Sequence, residues 1–289
     1  MSTPLLDIKP RIAGLKKLPP MPEMAQKIIM LGANPDSQVK DLVEIVEMDP
    51  SLAAQVMRYA SSPFFSYQGK VDSVQTAITR VLGFNMVMQL ALGVTAAKPF
   101  KIPRGITLGL DNYWRHAIYS AALTQALSSV LPSEIRPPAG LAYLAGLLHN
   151  FGHLMLGHLF TREFLILNKH IDSHPEKSII ECEMEIIGTG HGQIGEWLMR
   201  AWRLPEEIIV AVKEHHNPDY QGQHEVYPKL VMLADHLLKA HGIGDAPDGE
   251  PPQAILDSLE LGEYQANIIT NKVMEAGKGL DGMARTLAA

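Results

Sequence analysis

Apolar residues recur every three to four positions along almost the whole chain, and alternating β-branched stretches are scarce. That period suits helices that each bury one face, so the expected fold is all-α, an irregular helical bundle. Twenty prolines and 23 glycines cut the pattern into short pieces. Pro19, Pro20 and Pro22 precede a helix over Glu23 to Leu31, whose Met24, Ile28 and Leu31 share a face before Gly32, Asn34 and Pro35 end it. A second helix is expected over Val39 to Met48. Asp49 then caps a third over Ser51 to Ala60, with Pro50 at its first position, where the missing N–H leaves no bond unmade. Two more follow over Val74 to Leu82 and Phe84 to Ala97, separated at Gly83.

Lys98 to Gly109, with Pro99, Pro103, Gly105 and Gly109, reads as a connection between two halves. Longer helices are expected beyond it: Asn112 to Val130, Leu141 to His149, Phe164 to Ser173, Glu176 to Ile187, His191 to Ala201, Glu206 to His215 and Tyr227 to Ala240. Gly242 to Pro252 holds three Gly, two Asp and three Pro and reads as a surface loop. A last helix over Tyr264 to Ala276 leads into a tail expected to fray. The chain thus divides into an N-terminal extension (1–17), a lobe of short helices (18–100), a helical core (101–241), and a loop with a C-terminal helix (242–289). No fixed-period repeat is present, which favours a bundle over a solenoid.

Composition narrows the function classes. With 46% hydrophobic and 19% charged residues, the 289-residue chain is expected to be a soluble globular protein. No apolar run reaches the roughly 18 residues of a membrane span. Cys182 is the single cysteine and the first thirty residues lack a secretory pattern, so a reducing cytoplasm is the expected compartment. A formal charge of −6 with no Lys/Arg block disfavours nucleic acid as a partner. GxSxG, Walker A and GxGxxG motifs are absent, and Cys182 has neither a CxxC partner nor a basic setting to make it a nucleophile.

Polar residues on apolar faces carry the remaining signal. Ile208, Val212 and His215 share one helical face, and Ile209, Val212 and His216 an adjoining one. Val231, Asp235 and Leu238 place a carboxylate among apolar neighbours, where an ionised group needs a cation, a metal or several donors. His191 lies with Ile187, Ile194 and Leu198. His116 shares a face with Tyr113, Ser120, Leu123 and Leu127, and His149 closes the helix that begins near Leu141. A lone inward imidazole is ordinarily a satisfied core residue, since it needs only two partners. Five imidazoles and one carboxylate on five helices point instead to a shared polar or metal site, suited to Fe, Zn, Ni or Mn. The other histidines, His153, His158, His170, His174, His224, His236 and His241, fall near turns or on polar faces and are expected to meet solvent. The 14 methionines read as core filler.

Several motifs occur in order: Leu18-Pro19-Pro20-Met21-Pro22, Asp49-Pro50-Ser51-Leu52, Ser61-Ser62-Pro63-Phe64, Ala77-Ile78, Leu82-Gly83, Leu147-Leu148-His149-Asn150-Phe151-Gly152, His191 with Trp202-Arg203-Leu204-Pro205, and His215-His216. Through them the chain resembles the HDOD proteins, bacterial signalling relatives of the HD metal-dependent phosphohydrolases. The resemblance implies an N-terminal helical lobe packed on an HD-like helical core. It places metal positions on His116, on the pair His149-Asn150 and on Asp235, and two-metal relatives would add His191, His215 and His216. Asn150 departs from the pattern, standing where the HD signature has an aspartate that binds metal and can bridge two ions. A neutral amide with one oxygen cannot bridge two cations with comparable charge compensation. Asn112, where some three-metal relatives carry glutamate, argues against a third ion. No Gly-Tyr-Pro motif follows His215-His216, which disfavours a cyclic-dinucleotide phosphodiesterase.

These features favour a signalling or regulatory module that acts through protein partners, does not turn over substrate, and keeps a degenerate site for one or two divalent transition-metal ions. The runner-up is a metal-dependent phosphohydrolase acting on a nucleotide or other phosphate ester. A helical nucleic-acid-binding protein ranks third.

Overall fold

Helices begin and stop largely where the punctuation puts them. The structure, a computed structural model, describes residues 4–13, 18–245 and 253–289. Its first half carries α1 (Lys9–Ala13), α2 (Glu23–Ala33), α3 (Val39–Glu47), α4 (Pro50–Ala60), α5 (Val74–Thr76), α6 (Phe84–Ala97), α7 (Leu110–Ser128) and α8 (Ala139–Leu148). The second half carries α9 (Phe151–Leu159), α10 (Thr161–Ser173), α11 (Ile179–Ile186), α12 (His191–Ala201), α13 (Glu206–Glu214), α14 (Val226–Lys239), α15 (Gln253–Ser258), α16 (Glu263–Glu275) and α17 (Gly277–Ala288). No strand occurs among the described residues. Asp49 caps α4 as expected, its carboxylate accepting from the Ser51 and Leu52 backbone N–H groups. α5 continues into a wider π-helical turn over Ala77–Leu82, which ends at Gly83 with φ +81°.

The long helix α7 is the axis of the molecule. α8, α14, α16 and α17 pack along it, α9 lies on α12, α12 on α13, and α13 on both α14 and α8. The N-terminal lobe joins through α6 on α8. The connection between Lys98 and Gly109 is free of helix but buries Phe100, Ile102 and Leu108. Phe100 meets Phe151 edge-on at 5.2 Å, and Phe151 meets Trp202 at 5.6 Å. Trp202 in turn donates its indole N–H to the Pro19 carbonyl at 2.8 Å, tying the proline-rich entry of the lobe to the core.

Two expectations need correction. Residues 151–159, to which the sequence pattern assigns no helix, form α9, because their largely apolar composition hides any single face from a periodicity argument. The tail after Ala276, expected to fray, forms α17, whose Leu280, Met283 and Ala284 are buried against α7 and α4. Of the expected loop 242–252, residues 246–252 lie outside the described residues.

The contact between α9 and α12 has a specific cause. A Cβ on Gly152 of α9 would lie 1.9 Å from the His191 carbonyl oxygen at the start of α12, so only glycine lets the two backbones meet. That approach sets His191 beside the end of α8.

Candidate metal centre

The inward residues converge. His116 lies in the middle of α7, His149 and Asn150 follow α8, His191 opens α12, His215 and His216 follow α13, and Asp235 sits in α14. Ring centroids are 4.7 Å apart for His116 and His149, 5.1 Å for His149 and His215, 5.1 Å for His191 and His215, and 4.2 Å for His215 and His216. All are buried except His216, which is half-buried. Two groups of donor atoms adjoin: His116, His149, Asp235 and Asp245, and beside them His191, His215 and His216. Within each group the atoms lie within 4.8 Å of one another.

Local backbone decides which nitrogen faces inward. His149 and His215 each follow a helix and donate Nδ1–H to a carbonyl three residues back, Gly146 at 2.7 Å and Val212 at 2.9 Å. His191 Nδ1 lies 3.0 Å from both Glu183 carboxylate oxygens, and the same carboxylate accepts the His191 backbone N–H at 2.8 Å. Each proton placed this way leaves an Nε2 lone pair for the interior. His191 and His215 therefore meet Nε2 to Nε2 at 3.0 Å, an approach that is attractive only with a proton or a cation between two acceptors. His149 Nε2 and His216 Nε2 are buried without a hydrogen-bond partner.

In the first group, His116 Nε2 donates to Asp235 Oδ1. Its Nδ1 accepts from the Asn150 side-chain amide at 3.2 Å, and the same amide nitrogen donates to Asp245 Oδ2 at 3.0 Å. A carboxylate cannot donate, so the contact with Asp245 fixes the amide's sense. Asn150 Oδ1 and Asp245 Oδ1 are left buried and unpartnered.

Burial and mutual charge set the protonation of these groups. Burial pushes His149 and His215 well below the ordinary histidine range, with repulsion from His116 and His216 respectively adding to it. Burial also lowers His216, to about 4, against the attraction of Asp245. His116 is pushed down by burial but lifted further by Asp235, to about 9; the Asn150 amide opposes a second proton by donating to the nitrogen that would carry it. Burial and the Asp245 charge raise Asp235, whereas Asp245 is held well below the carboxylate range by His116 and His216 despite its burial. Burial raises Glu183, but the attraction of His191 and the His153 hydrogen bond outweigh it and hold the group at about 2.

Two facing carboxylates, two imidazoles opposed Nε2 to Nε2 and four orphaned buried atoms make a donor set whose bonding the protein alone does not complete. Such a set fits divalent transition metals of the Fe, Zn, Ni or Mn type. A cavity of about 210 Å³ reaches the first group and is lined in part by Asn112, His116, Asn150, His153 and Asp245.

Three participants escaped the sequence reading. His153, expected to face solvent, is buried on α9 and bonds Glu183 at 2.7 Å. Glu183 is fully buried, and its place beside Ile179, Cys182 and Ile186 on a helical face is a signal of the kind that exposed Asp235. Asp245 belongs to the segment expected to be surface loop, yet its carboxylate turns inward. Gly242 and Gly244 carry φ of +67° and +102°, and these left-handed turns bring the chain back onto α7. Asn112 is occupied elsewhere, donating to the Ile106 and Thr107 carbonyls.

The HDOD domain family matches residues 18–218. A solved structure from Marinobacter aquaeolei VT8, of a protein proposed to act in signal transduction, is 38% identical with a TM-score of 0.80, covering 94% of this chain and 60% of that one. A protein from Shewanella amazonensis SB2B, proposed to be a metal-dependent phosphohydrolase, shares the fold at 20% identity and a TM-score of 0.66, covering 93% of this chain and 92% of that one. An uncharacterized protein of Treponema pallidum (strain Nichols) is 24% identical over 264 residues, which are 90% of this chain and 49% of the relative. The chain thus spans about half of that curated relative.

Proposed function

The chain belongs to the HDOD family, and on that premise we propose that it is a cytoplasmic signal-transduction module that works through protein contacts and holds metal without turning over substrate. The relative from Marinobacter supports the signalling class. Among the described residues, no helix is long and apolar enough to cross a membrane.

The observation that carries the reading is the cover that the chain's own backbone lays over part of the site. Gly244 lies so close over the first group that a Cβ there would stand 2.8 Å from Asp235 Oδ1 and 3.1 Å from His116 Nε2. The cavity left beside it, about 210 Å³, is smaller than the roughly 300–1,000 Å³ of ordinary ligand pockets. His116, His149 and Asp235 would hold one ion, and His191, His215 and His216 a second. When bound, the ions supply the positive charge that lets these lone pairs and carboxylates share one interior. Glu183 and the Gly146 and Val212 carbonyls hold the ring protons on the outward nitrogens.

The second reading, a phosphohydrolase acting on a nucleotide or other phosphate ester, is favoured by the adjacency of two donor groups, the arrangement that two-metal hydrolysis uses. Asn150 counts against it, because its amide nitrogen is spent on His116 and Asp245 and the residue brings no charge. Metal content of the untagged protein, measured with hydrolysis of bis(p-nitrophenyl) phosphate, separates the two. Bound metal with no hydrolysis is expected. Hydrolysis by the native chain that His149→Ala abolishes would overturn the proposal in favour of the enzyme.

A further inference from the structure

Position 150 brings no negative charge, yet one is present nearby. We propose that Asp245 is a metal ligand of the first group, supplying from a different segment the carboxylate that Asn150 lacks, with Asn150 as its positioning residue. The inference rests on the metal-holding reading above.

Asp245 Oδ2 is fixed at 3.0 Å by the Asn150 amide, while its Oδ1 is buried with no protein partner. Its donor atom lies within 4.8 Å of those of His116, His149 and Asp235. His149 Nε2, on a fully buried residue, is also unpartnered in this group. Two carboxylates brought together beside these imidazoles repel unless a proton or a cation joins them.

The segment is built for the approach. Gly242 N–H bonds the Lys239 carbonyl at 2.9 Å and Ile243 N–H the Leu238 carbonyl at 3.1 Å, and Ile243 is buried. Gly244 then turns at φ +102° where a side chain would strike Asp235. Asn150 and Asp245 together reproduce an aspartate's function with the charge moved across space. The amide holds the carboxylate, and the carboxylate offers oxygen to the ion. In chemical class the ligand is a divalent transition metal accepting mixed imidazole and carboxylate donors.

The test uses the full untagged chain with Co²⁺ as the probe, read by its visible absorption and by competition with a chelator. Asp245→Asn keeps the side chain's shape and removes its charge. It should weaken Co²⁺ binding by about tenfold or more and alter the visible band. Adding Asn150→Asp to that variant should restore binding. Gly244→Ala, which keeps the carboxylate but displaces the segment, should weaken binding as well and serves if Asp245→Asn folds poorly by circular dichroism. Native affinity and spectrum in a folded Asp245→Asn variant would overturn this inference and leave the metal-holding reading standing. Failure of the native chain to bind Co²⁺ would overturn both.

Discussion

Replacing Gly152 with alanine tests the packing that places His191. The added Cβ would lie 1.9 Å from the His191 carbonyl oxygen, 2.7 Å from its carbon and 3.0 Å from its Cα, whereas ordinary contact begins at 3.4 Å. Backbone faces backbone here, so no rotamer change relieves the overlap. α9 and α12 must separate by about 1.5 Å, since repulsion rises steeply inside contact distance. Overpacking costs about 1–3 kcal/mol, and an overlap that only helix movement can relieve belongs at the upper end, about 3 kcal/mol. The same movement disturbs the 3.0 Å spacing between His191 and His215, since α12 is packed on α13 as well as on α9. Metal ligands hold their distances to within about 0.2 Å, so His191 would leave the shared donor set. Urea unfolding of Gly152→Ala, with and without Mn²⁺, measures both effects: a lower midpoint in metal-free protein and a smaller rise on adding metal. Gly279→Ala in α17 is the control, because its Cβ would meet nothing closer than 3.7 Å and alanine should stabilise that helix by about 0.5–1 kcal/mol. A Gly152→Ala protein with native midpoint and native metal response would show that the reasoning about this contact is wrong.

Metal-free protein should lose stability in acid. His149, His215 and His216 titrate below the ordinary value of 6.5 when folded, so the unfolded chain takes up their protons first. The contribution of these three is full above pH 6.5 and falls below it, by up to about 1.4 kcal/mol per pH unit for each histidine, and outweighs the opposite contribution of the one raised carboxyl, Asp235, over the same range. Urea midpoints between pH 7 and 5 in the presence of chelator check this, and a flat profile would refute it. Glu183→Gln removes the charge shared by His153 and His191 and should cost about 3 kcal/mol in the same assay. Trp202→Phe, which loses the bond to the Pro19 carbonyl, should cost about 1 kcal/mol.

Much of this was legible in one dimension because helices print their faces into sequence. Ile208, Val212 and His215 repeat at helical spacing and are all buried, and Val231, Asp235 and Leu238 behave alike. The Asp49-Pro50 start of α4 was equally plain, since capping is a local event. His153 was missed because its neighbours in α9 are apolar or glycine apart from His158, leaving little contrast between faces. Glu183 needed only the test already applied to Asp235. Asp245 could not be read this way. Its direction depends on the left-handed turns at Gly242 and Gly244, and an irregular segment has no period from which direction can be inferred. The family resemblance could not supply it either, for it marked the missing charge at Asn150 and said nothing of a replacement elsewhere.

The stretch by which kinship is recognised stops at residue 218, whereas Asp235 and Asp245 lie downstream of it. Homologues that look alike across the recognised stretch can therefore differ in the electrical character of their interiors. Inheritance of the scaffold and inheritance of its charge are separable, and a few changes in the strand of chain leaving α14 could retune the interior while every packed helix stays as it was. Sorting such homologues by chemistry means aligning that exit first.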